Sequence, residues 1–333
     1  MTTLPIIDLR PLRDGSDPAG VAAALGDACR RYGFFYVSGH GVDPAQVEAL
    51  EREARTFFAR PVAEKAALAM ARGGPAWRGW FPLGGELTSG EPDGKEGLYL
   101  GQELGPEHPR VRAGTPLFGP NLWPEHQPSL RPAVLGHVDA VTALGQVVLG
   151  GLALALGLER GWFARHVTHD PLVLFRLFHY PPGTGHRWGV GEHTDYGLLT
   201  LLAQDDAGGL EVHTPGGWIE APPVPGTFVC NLGDMLERMT RGHFVSTPHR
   251  VLNVSGRARL SMPLFLDPAW DSPLTPIPGL APPPAGSLAR ARWDGADVHA
   301  FSGTYGTYVL GKVAKVFPAL ARAVTSEPAG AGG

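Results

Sequence analysis

The chain has 333 residues, 43% of them hydrophobic and 18% charged, a balance that describes a globular protein and excludes a disordered one. A net charge of −4 argues against a nucleic-acid or anionic-membrane surface. Two cysteines, Cys29 and Cys230, are too few for a disulfide framework, form no zinc pattern and read as small core residues of a reducing compartment.

The N-terminal "MTTLPIIDLRPL" has no basic leader followed by an apolar core, so no signal peptide is expected and the cytoplasm is the expected location. "PIIDL" predicts a short strand. "PAGVAAALGDACRRYG" predicts a helix, with Ala22, Leu25, Cys29 and Tyr32 on one face and Gly33 as its stop. "FFYVSGHG" predicts a strand ending in a glycine turn. Asp43 is placed to cap a second helix with Pro44 in its first turn, and "VAEKAALAM" predicts a third. Residues 71–128 read as irregular, with aromatic points at Trp77, Trp80, Phe81 and Trp123 that argue against disorder. Within them "GEPDGKEG" reads as a solvated loop by composition.

A long helical region is expected over 129–159. Its apolar core at 140–158 contains four glycines and a Gln and is closed by charges, the pattern of a buried helix rather than a membrane span. From "LVLFRLFHYPP" onward the period becomes that of strands. Short runs at 197–203, 209–213, 217–221, 227–231, 243–246, 249–254 and 258–266 predict a β-sandwich or barrel. "NLGDM" (231–235) reads as a turn between core strands. A Pro-rich linker (268–286) precedes a last helix, "TYGTYVLGKVAKVF". The expected organisation is an N-terminal helical and mixed region (1–128) and a β-rich region (129–333) sharing one core.

The chemistry gathers in "GEHTDYGLLTLL". Residues i and i+2 of a strand share a face, so His193 and Asp195 can aim at one point while Thr194 turns away. "STPHRVLNV" offers His249 as a third ligand. Two histidines and a carboxylate with open positions opposite suit non-haem Fe(II) and O2, whereas structural zinc usually takes four ligands. In "RARLSMPLF", Arg259 and Ser261 are again i and i+2. A guanidinium aimed into a hydrophobic strand needs an anionic partner, which a bound carboxylate supplies.

Taken in order, "LPIIDL", "RRYGFFYVSGHGV", "GLYLG" after "DGKE", "RLFHYPP", "GEHTDYGLLTLLAQDDAGGLEV", "GGWIEAPPVPGTFVCNLGDMLERMTRGHFVSTPHRV" and "RLSMPLFLDP" resemble the 2-oxoglutarate-dependent Fe(II) dioxygenase superfamily, in the branch of isopenicillin N synthase and many plant oxidases. The resemblance runs from about residue 4 to 268. It implies a mixed α and β fold with a double-stranded β-helix (jelly-roll) core, a helical N-terminal region and a C-terminal helix packed on it. It implies His193, Asp195 and His249 as iron ligands, Arg259 and Ser261 on the distal carboxylate of 2-oxoglutarate, and Tyr180 as a further cosubstrate contact. The expected reactants are O2, 2-oxoglutarate and a small molecule, with ascorbate as a stimulant; no nucleic acid or membrane partner is expected, and a monomer suffices. "FHYP" departs from the "NYYP" of many plant members, so Phe178 puts in doubt any cosubstrate contact at that position, and His179 points the other way.

Trp77, Trp80, Phe81, Trp188 and Tyr305 are candidate substrate contacts. His40, His186, His213 and His243 read as turn or surface residues, and Arg78 and Arg187 as surface cations that could pair an acidic substrate. The leading function is oxidation of a small molecule, most simply hydroxylation, coupled to decarboxylation of 2-oxoglutarate to succinate and CO2. The Ala-, Gly-, Pro- and Arg-rich composition resembles that of high-GC bacterial proteins, where such enzymes tailor natural products. An isopenicillin N synthase-type oxidase would form no succinate, an ethylene-forming type would release ethylene with arginine, and an inactive binding protein would have lost a ligand or the Arg. This sequence has lost neither.

Overall fold

In the computed structural model, which describes residues 3–88, 90–185, 188–252, 255–283 and 297–317, β1 (Ile6–Asp8) and the short α1 (Arg10–Asp14) lead into α2 (Pro18–Arg31). Asp17 caps α2 by accepting from the Gly20 amide, and Gly33, at φ 63°, takes the left-handed position beyond its end. β2 (Phe34–Ser38) and α3 (Pro44–Phe58) follow, with Asp43 accepting from the Ala45 amide as expected. α4 (Val62–Ala66) is shorter than the predicted helix, because the Leu68 carbonyl is taken by the Trp80 amide at 2.7 Å instead.

That contact begins a correction to the "irregular" stretch. Residues 71–128 contribute β3 (Gly79–Phe81), a small hairpin of β4 (Leu87–Thr88) and β5 (Glu91–Pro92), β6 (Glu96–Gly101) and the short α5 (Pro109–Arg112). Glycines at both ends of β6 hid it from periodicity, yet every residue of β6 is buried.

α6 (Leu130–Ala155) and α7 (Trp162–His166) precede β7 (Pro171–Tyr180). α6 is long and apolar enough to cross a membrane, but here it packs inside the fold. Gly145 lets Leu266 and Leu201 approach closely, and Gly151 does the same for Leu25 and Leu12. The remaining elements are β8 (Val190–His193), β9 (Leu199–Gln204), β10 (Leu210–Thr214), β11 (Gly217–Glu220), β12 (Phe228–Leu232), α8 (Asp234–Met239), β13 (His249–Val251), β14 (Arg259–Ala269) and α9 (Tyr305–Val316).

The predicted run at 243–246 is not a strand: its Val245 amide bonds the Cys29 carbonyl at the end of α2 rather than a sheet. "NLGDM" is not a simple turn either, since Asn231 lies within β12 and Asp234 opens α8.

An eight-stranded sheet runs β1-β2-β12-β9-β14-β7-β6-β3 and faces a four-stranded sheet, β11-β10-β13-β8. This is the jelly-roll core, with strands from the first hundred residues extending the larger sheet at both edges. β9 illustrates how the larger sheet divides its faces. Leu201 points to α6, while Thr200 and Leu202 line a cavity between the sheets. Burying a leucine such as Leu201, with no exposed surface, contributes about 1.5–3 kcal/mol.

Candidate active site

The strand pleat does not bring His193 and Asp195 together. His193 is the last residue of β8 in the smaller sheet, and β9 begins at Leu199 in the larger one. Asp195 therefore sits on the crossing between sheets, and Thr194 is itself buried and contributes to the cavity wall rather than facing away. His249 opens β13 and is the direct cross-strand partner of His193, so their rings lie 4.2 Å apart.

The three side chains offer ligand atoms all within 4.8 Å of one another. Each imidazole is fixed through Nδ1: His193 against the Gly191 carbonyl at 2.8 Å, His249 against the Thr247 carbonyl at 3.2 Å. Both Nε2 atoms then face Asp195 Oδ1, at 3.9 and 3.8 Å. Burial, with His193 beside it, pushes the His249 pKa down to about 4, so its imidazole is neutral and able to ligate. Burial alone would raise the Asp195 carboxyl; the two imidazoles, Thr200 and Asn231 outweigh it and hold the group below its ordinary value. Two nitrogens and one oxygen around a pocket with room on the other side fit Fe(II) better than a closed zinc site.

Asp195 Oδ2 accepts from Thr200 Oγ1 at 2.5 Å and from Asn231 Nδ2 at 2.6 Å. Neither residue stood out as functional in the sequence. The available signal was Asn231 itself, a polar side chain inside the apolar run "FVCNL", since a buried amide requires a partner.

Arg259 and Ser261 begin β14 on one face, opposite Tyr180 and Phe178 of β7. Arg259 is 1% exposed, and among the described residues none of its three guanidinium nitrogens has a hydrogen-bond partner. The Tyr180 ring lies 4.8 Å from its guanidinium. A buried cation in that state calls for an anion, and a carboxylate meets the planar fork. Tyr180 and Ser261 line the same cavity of about 470 Å³, as do the two histidines and Asp195, with Leu202, Leu210 and Val251 between them. Burial raises the Tyr180 pKa, which keeps its hydroxyl protonated as a donor.

The proposed substrate contacts are placed differently. Trp77, Trp80, Phe81, Trp188 and Tyr305 do not line the cavity. Trp80 Nε1 donates to Glu96, Phe81 packs edge-on against Tyr99, Trp188 lies 4.7 Å from the Arg250 guanidinium, and Tyr305 donates to Asp267 at 2.5 Å. Trp77 is buried in the core. Trp80, Phe81, Trp188 and Tyr305 thus find partners within the protein, whereas Trp77 Nε1 has no hydrogen-bond partner among the described residues. Of the histidines read as peripheral, His40, His213 and His243 are also away from the cavity; His186 and Arg187 lie outside the described residues.

In their place stands the stretch expected to be solvated. Asp93 and Lys95 are 1% and 2% exposed, and Lys95, Glu86, Thr88 and Tyr99 line the cavity. Lys95 pairs with Asp93, which also accepts from Thr88, and Tyr99 donates to Glu86 Oε1. Lys95 Nζ lies 2.8 Å from Glu86 Oε2 as an ion pair, and this oxygen has no hydrogen bond among the described residues. Composition misled because Lys95 enters the core between two carboxylates that offset the cost of burying its charge.

Comparison with known proteins agrees with this architecture. Residues 4–126 match the model of the non-haem dioxygenase N-terminal region, described for morphine synthesis, and residues 171–268 that of the 2OG-Fe(II) oxygenase superfamily. A protein of Dictyostelium discoideum, named an iron/ascorbate oxidoreductase, is 45% identical, with 95% of each chain covered. A homoarginine-6-hydroxylase of Oryza sativa subsp. japonica is 36% identical over 82% of this chain and 88% of its own. The crystal structure of a 2OG-Fe(II) oxygenase family protein from Caulobacter crescentus superimposes with a TM-score of 0.79, at 31% identity, covering 95% of this chain and 99% of that one. Sequence, fold and the His-Asp-His cluster thus agree: the chain belongs to the 2-oxoglutarate- and Fe(II)-dependent oxygenase superfamily and is a non-haem dioxygenase.

Proposed function

We propose that the chain hydroxylates a small, amino-acid-like molecule carrying a cationic group. In this reading His193, Asp195 and His249 hold Fe(II), and Arg259 and Ser261 hold the distal carboxylate of 2-oxoglutarate. The observation that carries the cosubstrate assignment is the buried Arg259 guanidinium in the cavity of the metal cluster, without a hydrogen-bond partner among the described residues. When bound, Fe(II) supplies the O2 chemistry that oxidises 2-oxoglutarate to succinate and CO2 and leaves one oxygen atom for the substrate.

The chain's own contribution is orientation and exclusion of water. The Nδ1 contacts of His193 and His249 fix which ring nitrogen faces the metal. Arg259 and Ser261 bind a carboxylate by charge-assisted hydrogen bonds of about 1.5–3 kcal/mol each. Leu202, Leu210 and Val251 keep the intervening space apolar.

The substrate class rests on the opposite wall. Two carboxylates, Glu86 and Asp93, stand against one ammonium, Lys95, and among the described residues Glu86 Oε2 has no hydrogen-bond donor. An ammonium or guanidinium would complete that set, and the rice relative is named for an arginine homologue. Hydroxylation of such a molecule is a step suited to natural-product tailoring.

The test is a screen of arginine, homoarginine, lysine and the apolar norleucine, reading succinate and hydroxylated product, with ethylene measured alongside. Succinate above the uncoupled background with cationic amino acids, and not with norleucine, supports the reading. Turnover without succinate would contradict it in favour of an oxidase that uses no oxoacid. Failure of anaerobic 2-oxoglutarate to give a visible charge-transfer band with the Fe(II)-loaded protein would overturn the cosubstrate assignment.

A further inference from the structure

We infer that Thr200 and Asn231 are positioning residues that reserve a single oxygen of Asp195 for the metal. The inference rests on the reading of His193, Asp195 and His249 as ligands and adds a function for two residues outside that set. Thr200 and Asn231 are direct cross-strand partners on β9 and β12 of the larger sheet. His193 and His249 are direct cross-strand partners on β8 and β13 of the smaller sheet. Asp195 lies on the crossing between them. One of its oxygens, Oδ1, faces the histidine pair at 3.9 and 3.8 Å, and the other, Oδ2, accepts both hydrogen bonds from the Thr200–Asn231 pair.

The two pairs therefore divide the carboxylate. An oxygen that already accepts an amide N–H and a hydroxyl, at 2.6 and 2.5 Å, has its in-plane lone-pair directions filled. The carboxylate cannot rotate to offer both oxygens to an ion without breaking those bonds. All three groups are buried, with Asn231 3%, Thr200 5% and Asp195 8% exposed, so water does not readily replace a lost donor. A further tether acts on the backbone, where the Asp195 carbonyl accepts from the Asp234 amide at 2.8 Å. The effect is a carboxylate that binds through one oxygen and leaves coordination positions open for a chelating oxoacid and O2. Partners of this kind typically alter metal affinity about 10–100-fold when removed.

The experiment compares wild type with Thr200→Val, Thr200→Ser, Asn231→Ala and His249→Ala. Mn(II) affinity is measured by calorimetry, the Co(II) d–d absorption reports coordination, and thermal melts check folding. Thr200→Val and Asn231→Ala are expected to weaken Mn(II) binding about 10-fold or more and to alter the Co(II) spectrum. Thr200→Ser, which keeps the hydroxyl, is expected to retain wild-type affinity and spectrum. Should Asn231→Ala fail to fold, the Thr200→Val and Thr200→Ser contrast decides alone. Wild-type affinity and spectrum in Thr200→Val, with binding lost in His249→Ala, would overturn the inference and leave the ligand set standing. Metal binding retained in His249→Ala would overturn the ligand set itself.

Discussion

The two ends of the cavity differ in how their polar atoms are satisfied. At the metal end each Nδ1 has a backbone carbonyl, and Asp195 Oδ2 has two donors. At the other end the Arg259 guanidinium is just as buried, and none of its nitrogens has a partner among the described residues. The first arrangement is set by the protein before anything binds. In the proposed reading an external anion completes the second, so its cost is borne by the unliganded protein and recovered on binding. On that reading the metal takes the first end and the exchangeable cosubstrate the second.

Four substitutions break or sharpen this contrast. His249→Ala removes a member of the preset end, and succinate formation should fall by more than about 100-fold with metal binding lost, as read by calorimetry. Arg259→Met removes the incomplete end. The KM for 2-oxoglutarate should rise about 100-fold, equivalent to roughly 3 kcal/mol of lost charge-assisted bonding. The same variant should also make the unliganded protein more stable, by about 1–3 kcal/mol in denaturant melts, because an unpaired buried charge is gone. Glu86→Gln tests the third wall: the KM for a cationic substrate should rise about 10-fold, with 2-oxoglutarate affinity unchanged.

The last effect lies outside the cavity, at His137 on α6. It is fully buried, neither ring nitrogen is hydrogen-bonded among the described residues, and burial pushes its pKa down to about 4. The folded protein keeps it neutral, while the unfolded chain takes up a proton below its ordinary pKa of about 6.5. Stability present above pH 6.5 is therefore lost as pH falls toward 4, by up to about 3 kcal/mol. His137→Leu should flatten that part of the stability–pH profile, whereas Arg259→Met should not.

Much of the fold and of the site could be read from the sequence, and the failures have identifiable causes. Asp43 and Gly33 marked helix ends through local hydrogen bonds and backbone conformation, and these are encoded within a few residues. His193, Asp195, His249, Arg259 and Ser261 converge on one cavity, although the first two do so across a change of sheet rather than along one strand. What escaped depends on partners distant in the chain. Lys95 is buried because Glu86 and Asp93 neutralise it, and Asn231 matters because Asp195 is 36 residues away in sequence but 2.6 Å away in space. Trp80 and Tyr305 had the composition of pocket residues, yet Glu96 and Asp267 bind their polar tips inside the protein.

The most direct test of the central claim is a calorimetric titration of 2-oxoglutarate into the Mn(II)-loaded protein and its Arg259→Met variant, with Mn(II) affinity measured first in both. The expected result is equal metal affinity, with 2-oxoglutarate binding about 100-fold weaker in the variant. Equal 2-oxoglutarate affinity in the two proteins would contradict the assignment of the buried guanidinium to the cosubstrate carboxylate.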